Sequence, residues 1–137
     1  MDVFVLDACS LIAYLRKEEG YEKVISILNR ANVYKAKIIM HAASLTEVYY
    51  DFWRASDKTT ADSIISDLII LPIEIINTIA MQMIQEIGYF KTRYKISFAD
   101  SFVLATSKLN NTKVVTSDHH EFDMIEKSGD VAFEWIR

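Results

Sequence analysis

The sequence predicts an α/β fold, a parallel sheet sandwiched between helices, and three observations carry that expectation. Short β-rich apolar runs alternate along the chain with longer stretches whose apolar residues recur at helical spacing, the pattern of parallel strands joined by crossover helices. Apolar residues make up 51% of the chain, with only 3 Gly and 1 Pro, which supplies a substantial core and leaves little for linkers. Acidic residues fall at the ends of apolar runs and in the first turns of the helices after them, where open parallel sheets gather functional groups. At 137 residues the chain reads as one domain spanning residues 1–137.

The elements follow in order. Val3 to Asp7 is the first strand, an apolar run ended by an acid. A helix is expected from Ser10 to Arg16 and another from Gly20 to Arg30, with Val24, Ile27 and Leu28 on one face. Ile38 to His41 is the second strand. Ser44 is expected to cap the next helix, whose Leu45, Val48, Tyr49 and Phe52 stand at i, i+3, i+4 and i+7. Lys58 to Asp67 is a further helix. Pro72 breaks the helical pattern in Leu68–Glu74, and the β-branched and Leu residues there suit a short or edge strand. Asn77 is expected to cap a helix reaching Tyr94, and Ser97 one reaching Leu109. Lys113 to Thr116 and Val131 to Trp135 complete the strands, and Glu121-Phe122-Asp123 between them can start a helix.

Charge and targeting narrow the function. A net charge of −4 and a pI near 5.3 argue against nonspecific nucleic-acid binding through a broad basic face. They leave room for an enzyme that grips a phosphate chain through metal ions and a few local cations. No basic segment with an apolar h-region follows Met1, and the lone Cys9 cannot form an internal disulfide, so a cytoplasmic location is expected. The greasiest stretch, Leu68 to Ile87, is interrupted by Pro72, Glu74, Asn77, Gln82, Gln85 and Glu86 and reads as core, not as a membrane span.

The candidate site is a set of four acids, Asp7, Glu47, Asp100 and Asp118. Converging carboxylates repel one another unless a cation lies between them, so the set points to a divalent metal and to phosphoryl-transfer or phosphodiester-cleaving chemistry. Each acid also has a plainer reading. Ser44-x-x-Glu47 has the form of a capping box and Ser97-x-x-Asp100 a looser version of it, while Ser117-Asp118 suits a turn. Asp7 is harder to explain away, because a carboxylate between apolar segments is costly to bury without a partner. Ser10 and Thr116 stand where they could hydrogen-bond the ligands or a phosphate.

Other residues carry weaker signals. Arg93 and Lys95, with Lys91, form the densest basic run just before Asp100, and either serve as a solvated face or meet substrate phosphates. His119 and His120 adjoin Asp118, but adjacent histidines point in different directions. His41 ends an apolar strand and suits a core or rim role. Glu121 and Asp123 are candidate outer contributors. Tyr49, Tyr50, Phe52 and Trp53 cannot all face one core, because consecutive helix residues point around the axis, so an interface is weighed beside partial burial.

At these residues the chain resembles the PIN-domain ribonucleases, above all the VapC-type toxins of toxin–antitoxin pairs. The resemblance runs through Val5-Leu6-Asp7-Ala8-Cys9-Ser10-Leu11, Ser44-Leu45-Thr46-Glu47-Val48, Tyr94-Lys95-Ile96-Ser97-Phe98-Ala99-Asp100-Ser101 and Val114-Val115-Thr116-Ser117-Asp118 with Phe122, in that order. Cys9 departs from the small residue usual at its position. The resemblance implies a Rossmann-like three-layer α/β/α sandwich, dependence on Mg²⁺ or Mn²⁺, endonucleolytic cleavage of RNA, a homodimer and a VapB-like antitoxin that covers the active site. The alternative is a catalytically silent PIN-like module that binds RNA or a partner protein, against which the intact acids argue. An aspartyl-phosphate phosphatase would want a second acid where Cys9 stands.

Overall fold

The computed structural model describes residues 1–137. Five strands, β1 (Asp2–Leu6), β2 (Ala36–His41), β3 (Ile73–Ile76), β4 (Lys113–Thr116) and β5 (Ala132–Trp135), form one parallel sheet in the order β3-β2-β1-β4-β5. Seven helices, α1 (Ala8–Arg16), α2 (Tyr21–Asn32), α3 (Ala42–Ala55), α4 (Lys58–Leu68), α5 (Met81–Arg93), α6 (Phe98–Asn110) and α7 (His119–Ser128), connect them.

The pleat divides the core in two, because successive strand residues face opposite sides of the sheet. Phe4, Leu6, Ile38, Met40 and Val115 pack under α1 to α4, with Leu11, Val24, Leu28, Val48 and Ala61 from those helices. Val5, Ile39 and Val114 face the other way, against Phe90 of α5, Val103 and Leu104 of α6, and Phe122 and Ile125 of α7. Strands buried on both faces explain why the sequence shows continuous apolar runs and not alternation. The result is the α/β/α sandwich that the sequence predicts.

Several boundaries differ from expectation, each for a local reason. α1 begins at Ala8, two residues before Ser10, because the Asp7 side chain accepts the Ser10 N–H at 2.9 Å and caps the helix itself. α3 is not capped by Ser44: His41 takes that role, and Ser44 lies buried inside the helix. Asn77 does not cap α5 either; the helix starts at Met81, after Ala80, with no side-chain cap. The strand sought within Leu68–Glu74 begins only at Ile73, since α4 and a turn occupy the residues before it. Ser97 does cap α6, accepting the Asp100 N–H at 3.1 Å.

The strand order positions the site. From β1 the chain moves to β2 on one side, whereas β4 lies on the other side of β1 and leads outward to β5. The strand order reverses between β1 and β4. In open parallel sheets, ligands bind in the crevice outside the carboxyl ends of strands at such a reversal.

Candidate functional site

Two of the four acids leave the strands that flank this crevice. Asp7 follows β1 and is 3% exposed. Burial raises its carboxyl above the usual range, opposed by hydrogen bonding from Thr116, Ser10 and Cys9. Asp118 follows β4 and caps α7: one carboxylate oxygen accepts the Glu121 N–H at 3.1 Å, and its own N–H donates to the Thr116 hydroxyl oxygen at 3.0 Å. The Ser10 hydroxyl donates to the Val115 carbonyl at 2.8 Å, tying the start of α1 to the end of β4. Ser10 and Thr116 are both fully buried and hold the two loops that carry Asp7 and Asp118.

The other two acids come from helices. Asp100 sits in the first turn of α6, and burial pushes its carboxyl up to about 7, against the Ser97 hydrogen bond and with added repulsion from Asp7, Glu121 and Asp118. Glu47 lies in the second turn of α3, so the capping-box reading of Ser44-x-x-Glu47 fails. Its carboxyl is raised by burial and then by the charges of Asp7, Asp118 and Asp51. Asp7 and Asp118 thus bear on both Glu47 and Asp100.

Glu121 belongs with them. It stands in the first turn of α7, its charge bears on Asp100, and its Oε2 is buried without a hydrogen-bond partner. The sequence offers it only as an outer contributor beside Asp123. Asp123 instead pairs with His119 at 2.8 Å on the exposed side of the helix. His119 is stacked on Trp135 at 3.8 Å and bonded to the Arg137 carbonyl, away from ligand duty. Arg93 and Lys95 are exposed; the Arg93 guanidinium lies over Tyr89 at 3.8 Å and is bonded to none of the four acids.

The residues present fit a hard divalent cation. Oxygen donors dominate, no cationic side chain is among the causes that shift Asp7, Glu47 or Asp100, and Oε2 of Glu121 is buried without a hydrogen-bond partner. No three His, Cys, Asp or Glu side chains already stand in coordinating geometry. Cys9 is no candidate nucleophile: burial, then the Asp7 charge, pushes its thiol up to about 12. The largest cavity, about 480 Å³, lies elsewhere, between α3 and α4, and none of these acids lines it.

The family model of the PIN domain matches residues 4–127, and the chain belongs to that family. Among solved structures it is similar to DNA-bound VapBC from Salmonella typhimurium, at 15% identity over 100% of both chains with a TM-score of 0.76. It is also similar to VapBC2 from Rickettsia felis bound to a promoter DNA fragment, at 15% identity over 97% of this chain and 98% of that one, TM-score 0.73. A third likeness is to VapC20 of Mycobacterium tuberculosis, a toxin that cleaves the sarcin–ricin loop, at 10% identity over 80% and 85% of the chains, TM-score 0.63. No curated protein matches the chain.

Proposed function

We propose that this PIN-domain protein is a metal-dependent endoribonuclease, the VapC-like toxin of a type II toxin–antitoxin pair acting in the cytoplasm, with a VapB-like antitoxin and a second copy of itself as partners. The observation that carries the reading is that Asp7 and Asp118, beyond the ends of β1 and β4 where the strand order reverses, both bear on the carboxyls of Glu47 and Asp100. Family membership and the likeness in fold to VapBC complexes support it.

Bound Mg²⁺ or Mn²⁺ would supply Lewis-acid stabilisation of the scissile phosphate and an acidified attacking water. Asp7 and Asp100 would be the principal residues holding the ion, with Glu47 and Asp118 as further ligands, directly or through water, and Glu121 beside them on α7. The Ser10 amide and the Thr116 hydroxyl fix how Asp7 and Asp118 face the centre. Arg93 and Lys95 meet phosphates of the RNA beyond the scissile one. Burial holds the Asp100 carboxyl up to about 7, so it would have to give up its proton to serve as a ligand, and metal affinity should rise with pH.

The test has two readouts. Mn²⁺ should raise the melting temperature of the wild type, since a ligand bound only by the folded state stabilises it by about 2.7 kcal/mol at roughly 100-fold excess over Kd. Asp7→Asn should abolish that rise and, in a metal-replete assay, cleavage of structured RNA. An unchanged wild-type melting temperature across millimolar metal, or wild-type cleavage by Asp7→Asn, would overturn the proposal. Metal binding without cleavage of RNA would favour the silent module.

A further inference from the structure

We propose that His41 is the positioning residue that holds the helices carrying Glu47 and Asp100 in register; the inference rests on the metal-centre reading above. His41 ends β2 and is 3% exposed. Its Nδ1 accepts the Ala43 N–H at 3.0 Å and so caps α3, the helix of Glu47. Its Nε2 donates to the Thr78 carbonyl at 2.9 Å, in the loop between β3 and α5. One neutral tautomer, with the proton on Nε2, satisfies both bonds. The ring also lies against Phe102 with centroids 4.8 Å apart, and Phe102 is on α6 two residues after Asp100.

One imidazole therefore joins the start of α3, the loop before α5 and the body of α6. These segments need an anchor, because Glu47 and Asp100 are each repelled by Asp7 and Asp118. A short Ser or Asn cap would satisfy the Ala43 amide but could neither reach Thr78 nor cover Phe102. The capping bond sets where α3 begins, and with it the height at which Glu47 meets the crevice. The bond to Thr78 and the contact with Phe102 fix the lateral relation of α3 to α6.

The test separates a cap from a bridge by comparing His41→Ala with His41→Asn. Asn restores the cap, so its melting temperature should lie above that of His41→Ala. The bridge stays lost, so both variants should bind Mn²⁺ about tenfold more weakly by calorimetry. Both should also lower kcat on an RNA oligonucleotide with KM unchanged. In metal-free protein, hydrogen exchange over residues 98–102 should be faster in His41→Asn than in wild type. Wild-type Mn²⁺ affinity and kcat in His41→Asn would reduce His41 to a helix cap and overturn the proposal. A wild type that binds no Mn²⁺ overturns the metal-centre reading instead. The exchange result then decides alone, and unchanged α6 protection in His41→Asn sinks the bridge.

Discussion

Asp100 carries the clearest consequence at the scale of a single residue. Its folded carboxyl is raised to about 7 from 3.8, chiefly by burial. Between those values the unfolded chain has lost a proton that the folded chain keeps, so this contribution to stability is full below the unfolded pKa and is lost as pH rises to the folded one. The metal-free melting temperature should fall from pH 4 to pH 7 more steeply in wild type than in Asp100→Asn, measured by calorimetry in a chelator; parallel curves would contradict the assignment. Glu47 yields a second expectation. It makes no capping box, and its charge is opposed by burial and by Asp7, Asp118 and Asp51. Glu47→Gln should leave the metal-free melting temperature unchanged or raised while blunting the rise on Mn²⁺; unfolding of the variant would mark the carboxylate as structural. Asp7 was readable in the sequence because an acid between apolar segments needs a partner. Glu121 was readable only as an outer contributor or a helix-start acid, since the burial of one oxygen depends on what the fold brings over it.

At the scale of elements, periodicity revealed most helices and strands but not where they begin. Caps decide beginnings, and the caps here are partly tertiary. Ser97 caps α6 by a local bond, which a sequence pattern captures. His41 caps α3 while also anchored to Thr78 and Phe102, residues far along the chain, so Ser44 looked the better cap and was not. The same dependence on distant residues appears at Gly20, which precedes α2 with φ of 93°. A Cβ there would meet the backbone carbonyl of Ile136, just past β5. Gly20→Ala should destabilise the domain by more than the roughly 1–2 kcal/mol of left-handed backbone strain alone, because a backbone atom cannot swing aside. Urea denaturation measures this directly, and a loss below that range would show that the C-terminal segment yields easily.

The whole molecule is where the sequence was least explicit. Alternation implied a parallel sheet, but only pairing reveals the order β3-β2-β1-β4-β5 and the reversal that brings Asp7 and Asp118 to one crevice. The family resemblance anticipated the fold through ordered motifs, not through any property of the apolar runs. The outer surface of α3 raises the remaining whole-molecule question. Phe52 is buried with Arg16 over its ring, and Tyr49 donates to Asp62 of α4, so half of the aromatic group is spent inside the monomer. Trp53 and Tyr50 remain 46% and 43% exposed, with Trp53 edge-on to Tyr49, which lines the cavity between α3 and α4. Exposed aromatic side chains of this kind are the usual anchors of protein interfaces. Trp53→Ala should therefore weaken self-association or antitoxin binding. The Mn²⁺-dependent melting shift should persist, because Trp53 lies more than one and a half turns along α3 from Glu47. Analytical ultracentrifugation of both proteins, alone and with the antitoxin, reads the outcome. A wild type that stays monomeric at tens of micromolar and an antitoxin affinity untouched by the substitution would together mean that these rings are ordinary packing between α3 and α4.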